Sequence, residues 1–140
     1  MPLLVFVYGT LRQGESNDIA QAAARHGLPA PVRVGLARAP GVLVDYGDWP
    51  GLLPDAGPPR VLGEVYRIDA ALAPVLDAIE EIDDPTTSPF VRDEADVRLE
   101  DGGATLRCLY YPIRPDGPGT PVATGADDWC AYRLARRKRP

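Results

Sequence analysis

Short runs of apolar residues, several of them alternating with polar ones, dominate the chain and predict strands. Residues 3–7 form a continuous apolar run with β-branched and aromatic side chains, which is typical of a strand buried on both faces. Residues 61–68 alternate most clearly, and they predict a strand with two different faces. The other predicted strands are residues 32–37, 42–44, 91–99 and 105–111. The last two of these predict a hairpin across residues 100–103.

A first helix is predicted over residues 18–25, with Ser16 or Asn17 as its cap. Gly27 is a suitable stop, and the preceding His26 lies where its side chain can meet the negative end of the helix dipole. We therefore interpret His26 as a surface residue rather than a catalytic one.

A second helix is predicted after Asp69, which can cap it. Its apolar residues fall on one stripe of a helical wheel: Leu72, Val75, Leu76, Ile79 and Ile82. On that wheel Glu80 lies on the flank of the stripe and Glu81 lies on the opposite face. Only Glu80 is therefore expected to reach the edge of a pocket.

Because strands outnumber helices, the pattern predicts an α+β fold. A length of 140 residues is enough for one domain with a real core, so residues 1–140 are expected to form a single domain. A basic tail begins at about residue 133 and runs to 139, and such a terminus is usually solvated and frayed.

Composition argues against several classes of partner. A net charge of −5 and a pI near 4.8 argue against nucleic acid. The apolar start, about five residues long, is too short for a secretory signal. No window approaches the roughly 20 apolar residues that a membrane span requires. We therefore expect a cytoplasmic protein with no membrane partner.

The residues that usually hold cofactors are scarce. Cys108 and Cys130 are too few for a disulfide scaffold, and a single histidine with no Cys-x-x-Cys pair argues against a metal site. Nucleotide binding through Gly9 and Gly14 is weakly supported, because no G-x-G-x-x-G or Walker pattern is present. No cofactor and no metal are therefore expected.

The most informative stretch is the loop that follows the first strand, Tyr8, Gly9, Thr10 and Leu11. Glycine has no Cβ, so Gly9 allows unusual backbone conformations and the close approach of a ligand. A buried strand that opens into such a turn leaves backbone N–H groups at its mouth, where they can bind an anion such as a carboxylate.

Five motifs give the chain a resemblance to the γ-glutamylcyclotransferase family, including its AIG2-like and γ-glutamylamine cyclotransferase branches. They are Val-Tyr-Gly-Thr-Leu-Arg at 7–12, Trp-Pro-Gly-Leu at 49–52, Gly-Glu-Val-Tyr at 63–66, Leu-Asp-Ala-Ile-Glu at 76–80, and Gly-Ala-Asp-Asp-Trp at 125–129. Their order and spacing fit the family and cover most of the chain.

The resemblance implies a small, mostly antiparallel β-barrel with a few packed helices. It also implies an intramolecular cyclisation, of the acyltransferase or lyase type, that converts a γ-glutamyl amino acid or amine to 5-oxoproline without a cofactor. Glu80 is implied as the general acid and base. The loop of Tyr8, Gly9, Thr10 and Leu11 would hold the substrate's α-carboxylate.

The sequence departs from the family at three places. Glu81 stands where a glycine often follows the glutamate, and Phe90 stands where a tyrosine often precedes x-Arg. The loop over residues 83–89 is also long. These changes bear on substrate choice more than on the basic chemistry.

An alternative function remains open: a non-catalytic module that keeps the pocket to bind a small acidic metabolite or the terminus of a partner. Two residues are also open to two interpretations. Trp49 either forms a wall of the pocket or plugs the end of the barrel, and Glu64 either faces a site or pairs with an arginine. The sequence identifies neither the group attached to the γ-glutamyl unit nor the oligomeric state.

Overall fold

Five strands close into a barrel in a computed structural model that describes residues 2–137. In chain order they are β1 (Pro2–Val7), β2 (Val32–Pro40), β5 (Pro59–Asp69), β6 (Asp93–Leu99) and β7 (Thr105–Tyr110). Their order around the barrel is β1-β5-β2-β6-β7. The barrel closes through a parallel contact between β7 and β1, and its other pairs are antiparallel. The expected α+β fold and mostly antiparallel barrel are thus confirmed.

A small second sheet lies beside the barrel, with β3 (Val42–Asp45) between β4 (Pro50–Leu53) and β8 (Val122–Ala123). Strand β4 is not among the strands predicted from the sequence. Its proline and glycine weaken any local strand signal, and the strand forms because it pairs with β3 from Val42↔Leu53 to Asp45↔Pro50.

Within residues 2–137, three α-helices surround the sheets: α1 (Ile19–Arg25), α2 (Ala73–Ile79) and α3 (Trp129–Arg137), with a 3₁₀ turn over Ala70–Leu72 before α2. The side chain of Asp18 caps α1 by accepting hydrogen bonds from the N–H groups of Ala20 and Gln21. The expected cap, Ser16 or Asn17, is therefore wrong by one or two residues. No helix within residues 2–137 is both long and apolar enough to cross a membrane.

The tail that we expected to fray from residue 133 is helical as far as Arg137. Arg133 pairs with Glu15 at 2.8 Å, and Arg136 pairs with Asp45 at 2.7 Å. These tertiary ion pairs hold the basic side chains against the body of the protein. The remainder of the tail, residues 138–140, lies outside the described residues.

Strand β1 is buried on both faces, as predicted. Val5 and Val7 pack in a cluster that includes residues of α1 and α2, whereas Phe6 and Tyr8 pack among residues of the other strands. Gly63 of β5 lies directly against β1, because a Cβ there would come 2.3 Å from the carbonyl oxygen of Val7. The core therefore fixes the point at which β1 ends and the Tyr8 loop begins.

Candidate active site

A cavity of about 270 Å³ opens where β1 ends. Segments distant in the sequence line it, and they include every residue predicted for the site. Its walls are formed by Phe6 to Leu11, Ser16, Asn17, Asp48 to Pro50, Ile79 to Glu81, Thr87 to Phe90 and Tyr111. The Tyr8–Leu11 loop and Glu80 therefore meet around one space.

The hydroxyl of Tyr8 holds the loop to two other segments. It donates a hydrogen bond to the carbonyl oxygen of Tyr111 at 2.7 Å and accepts one from the N–H of Leu52 at 3.0 Å. Desolvation raises the pKa of Tyr8 well above its usual value, and the nearby negative charge of Glu80 raises it further. The phenol is therefore neutral and serves as a fixed structural bridge.

Gly9 is required by close packing. A Cβ there would lie 2.5 Å from Cγ of Pro50, and the φ of Gly9 is not positive. The close approach of Pro50 thus explains this glycine, and an unusual backbone conformation does not. The close approach of a ligand to Gly9 stays a prediction. The contact with Pro50 joins the Tyr-Gly-Thr-Leu and Trp-Pro-Gly-Leu motifs.

Within residues 2–137, the backbone carbonyl groups of this loop from Gly9 to Leu11 have hydrogen-bond partners, whereas the N–H groups there have none. The carbonyl oxygens of Gly9, Thr10 and Leu11 accept hydrogen bonds from Arg12, Asn17 and Ile19 at 2.8–3.0 Å. The N–H groups of Gly9, Thr10 and Leu11 donate to no group within residues 2–137. Three successive amide donors without internal partners beside a cavity can bind an anion.

A largely buried network of ion pairs holds Arg12 and Gln13, the two residues that follow the loop. The Arg12 guanidinium contacts the carboxylate of Glu64 at 3.0 Å and that of Asp128 at 2.9 Å. Glu64 also accepts hydrogen bonds from the N–H of Gln13 and the hydroxyl of Tyr66, both at 2.9 Å. Glu64 is thus the partner of an arginine, which decides between its two interpretations. Three sequence motifs meet at this network.

Glu80 forms the C-terminal cap of α2. Its N–H donates to the carbonyl oxygen of Leu76 at 3.0 Å, and its own carbonyl oxygen accepts from the hydroxyl of the buried Ser88 at 2.6 Å. Its half-buried carboxylate, in contrast, accepts no hydrogen bond from residues 2–137. Desolvation, followed by the charge of Glu81, raises the pKa of Glu80 to about 8.

Glu81 also lines the cavity, so the prediction that only Glu80 reaches it is wrong. The helical wheel fails here because α2 ends at Ile79, earlier than expected. Glu81 has a φ of 54°, in the left-handed region that favours glycine. A glycine at this position, which the resemblance implies, would adopt that conformation without strain.

Aromatic side chains complete the wall. Trp49 lines the cavity while 43% exposed, so it is a rim residue and does not plug the barrel. Phe90 lines the cavity without a hydroxyl. The hydroxyl of Tyr111 donates to Asp77 at 2.5 Å, and Asp77 also pairs with Arg92 at 3.1 Å. Sequence reasoning missed Tyr111, Ser88 and Asp48 as wall residues, because nothing local distinguishes them.

The cavity thus combines an anion-binding backbone loop with a carboxyl group whose pKa lies near neutral pH. Such a pair can orient a zwitterionic ligand and move a proton. Within residues 2–137, no group of three or more His, Cys, Asp or Glu side chains could hold a metal ion.

Comparison with known proteins identifies the family. The sequence pattern of the family described as gamma-glutamyl cyclotransferase, AIG2-like, matches residues 5–131. The chain belongs to this family. The resemblance drawn from the five motifs is therefore confirmed.

Two curated members of the gamma-glutamyl cyclotransferase family are similar over most of this chain. The gamma-L-glutamyl-butirosin B gamma-glutamyl cyclotransferase of Niallia circulans is 36% identical over 137 residues, which are 96% of this chain and 79% of the relative. The gamma-glutamylaminecyclotransferase of Bos taurus is 35% identical over 111 residues, which are 76% of this chain and 63% of the relative.

Solved structures show the same fold. The crystal structure of an AIG2-like protein from Mus musculus has a TM-score of 0.65 at 24% identity, and the match covers 85% of this chain and 86% of that one. Allophanate hydrolase of Kluyveromyces lactis also has a TM-score of 0.65, at 10% identity. That match covers 99% of this chain but 22% of the hydrolase, so the fold also occurs within a much longer protein.

Proposed function

We propose that this chain is an enzyme that converts a γ-glutamyl amine or amino acid to 5-oxoproline and a free amine, with Glu80 as general base and then general acid. The observation that carries the proposal is the Glu80 carboxyl group, which has no hydrogen-bond donor within residues 2–137 and a pKa of about 8. It lines the same cavity as the free N–H groups of Gly9, Thr10 and Leu11. The names of the relatives support an enzyme of this type.

A γ-glutamyl group carries an α-carboxylate and an α-ammonium on one carbon. The loop N–H groups would bind the carboxylate, and Glu80 would accept a proton from the ammonium. Anchoring the α-carbon in this way bends the side chain back, so that the amine approaches its own γ-carbonyl. Such orientation replaces much of the entropic cost of ring closure.

Glu80 makes two proton transfers in this reaction. Glu80 first removes a proton from the ammonium, and the amine nitrogen then forms a bond to the γ-carbonyl carbon. The attacking nitrogen of the resulting tetrahedral intermediate loses its second proton to solvent, and the intermediate collapses as its bond to the leaving nitrogen breaks. The protonated Glu80 gives its proton to that nitrogen, which leaves as a free amine beside 5-oxoproline. One carboxyl group thus completes the cycle and returns to its starting state.

The raised pKa of Glu80 suits it to this work. An ordinary glutamate is too weak a base for an ammonium, whereas a carboxyl group with a pKa of about 8 is better matched. Because the ionised carboxylate is the base, kcat/KM should rise with pH between 6 and 8 and then level off. The positive ammonium of bound substrate lowers the pKa of Glu80. The rise of kcat with pH should therefore occur at a lower pH than the rise of kcat/KM.

The test is 5-oxoproline release from a panel of γ-glutamyl amino acids and amines. We expect turnover of at least one compound, and a loss of roughly 10²- to 10⁴-fold in Glu80→Gln, the range for lost general acid–base catalysis. Glu94→Gln, an exposed change on β6, is the matched control and should retain activity. Binding of a γ-glutamyl compound without product would instead favour the binding module, and full activity in Glu80→Gln would refute the role of Glu80.

A further inference from the structure

The charged side chains that line the cavity are all acidic. Asp48, Glu80 and Glu81 line it, and none of the described residues that line it is Lys, Arg or His. None of these three carboxylates has a hydrogen bond or ion pair within residues 2–137. Arg12 neutralises Glu64, and Arg136 neutralises Asp45, at two other places in the fold. The cavity therefore lacks countercharge, which a ligand can supply.

The γ-glutamyl group can satisfy only part of this demand. Its α-carboxylate would meet the backbone N–H groups of the Tyr8 loop, and its α-ammonium would meet Glu80. Two carboxylates, Asp48 and Glu81, then remain without a positive partner, and both are exposed at the mouth of the cavity. In the binding mode proposed for the γ-glutamyl group, the group attached to the γ-carbonyl leaves towards this part of the cavity.

An aromatic surface lies next to these carboxylates. Trp49 is 43% exposed, and its ring stacks on that of Tyr46 with centroids 6.4 Å apart and planes inclined by 23°. The face of a tryptophan ring attracts an ammonium group. Two free carboxylates and an indole form a surface that favours a cation and disfavours an anion.

We propose that Glu81, Asp48 and Trp49 select γ-glutamyl compounds whose leaving amine carries a second positive charge, such as a diamine or polyamine, over those ending in an apolar group or a carboxylate. This inference rests on the proposed function and names its substrate class. Glu81 is the central element, since it lines the cavity with a φ of 54°. A strained residue at a site is a reason to look for a role there.

Three synthetic γ-glutamyl amides with the same five-methylene spacer test the proposal. They end in an ammonium, a methyl or a carboxylate group, so that shape is nearly constant while charge changes. Each exposed carboxylate that faces a cation is worth up to about fivefold in affinity. We expect kcat/KM for the ammonium compound to exceed that for the methyl compound about tenfold, with the carboxylate compound poorest. Added salt should shrink these ratios.

Variants assign the effect to the residues. In the double variant Asp48→Asn with Glu81→Gln, the ratio of ammonium to methyl compound should fall to about twofold or less. Glu81 also affects the pKa of Glu80, but that effect is the same for both compounds and cancels in the ratio of their kcat/KM values. Asp83→Asn removes the same charge from an exposed neighbour that does not line the cavity, and it should leave the ratio unchanged.

Binding separates this inference from the proposed function. The Kd of each compound is measured by calorimetry on Glu80→Gln protein, which should not consume them. Tighter binding of the ammonium compound, lost in Glu80→Gln that also carries the Asp48 and Glu81 changes, supports the inference even if no compound is turned over. Absence of 5-oxoproline from every compound overturns the proposed function. Equal or reversed affinities, or a preference that survives both changes, overturn the inference alone.

Discussion

Replacing Glu80 by glutamine should stabilise the protein while it lowers activity, and the gain in stability should depend on pH. The pKa of this carboxyl group is about 8 in the fold, compared with an ordinary value of 4.5. A raised carboxyl pKa means that the folded state binds more protons than the unfolded state between these values. This group's contribution is therefore fully favourable below pH 4.5 and is lost as the pH rises through 8.

The size of the effect follows from this difference. Each pH unit between the two pKa values changes the free energy of unfolding by about 1.4 kcal/mol. At pH 7 wild-type protein should thus be less stable than Glu80→Gln by roughly 3 kcal/mol, or about 10 °C in Tm. The difference should nearly vanish at pH 4, because the carboxyl group is then neutral in both states.

Thermal and urea unfolding of both proteins from pH 4 to pH 8 would measure this. Glu94→Gln should stay within about 0.5 kcal/mol of wild type across the range, since its side chain is exposed. A difference between Glu80→Gln and wild type that does not change with pH would refute the raised pKa. A variant less stable than wild type at pH 7 would show that the carboxylate makes favourable contacts.

Three other changes test the architecture of the site. Gly9→Ala would place a Cβ 2.5 Å from Pro50, so KM should rise about tenfold with a smaller change in kcat. Gly57→Ala is the control, because its Cβ would meet no atom closer than 3.8 Å, and it should be neutral in the same assay. Glu81→Gly should raise the free energy of unfolding by about 1 kcal/mol relative to Glu81→Ala, because only glycine relieves the left-handed φ; equal stability by urea unfolding would contradict this. In Arg12→Lys, the lysine cannot bridge two carboxylates, so the free energy of unfolding should fall by about 2 kcal/mol and KM should rise. An unchanged KM would show that the ion-pair network does not position the loop.

Local patterns determined the elements that carry a strong period. Strands β1 and β5, the β6–β7 hairpin and the apolar stripe of α2 agree with the structure within a few residues at their ends. Their side chains alternate or repeat in register with the backbone, so the sequence contains the signal for each element. The motifs and their order were also sufficient to indicate the family, whose pattern matches residues 5–131.

Contacts between distant segments decided the rest. Strand β4 exists because β3 pairs with it, and α3 is held by ion pairs to Glu15 and Asp45. Local strand propensity is weak in β4, which contains a proline and a glycine, so pairing with β3 overrides it.

The end of α2 is a second place where the local sequence pattern did not predict the structure, and it lies at the site itself. A wheel drawn to residue 82 keeps Glu81 away from the pocket, yet the helix stops at Ile79 and the chain turns through a positive φ at Glu81. The motifs named the carboxyl group at Glu80 and the loop at Gly9. Only the folded chain brought Asp48, Trp49 and Tyr111 to them, because burial, countercharge and pKa depend on which distant residues meet around the same space.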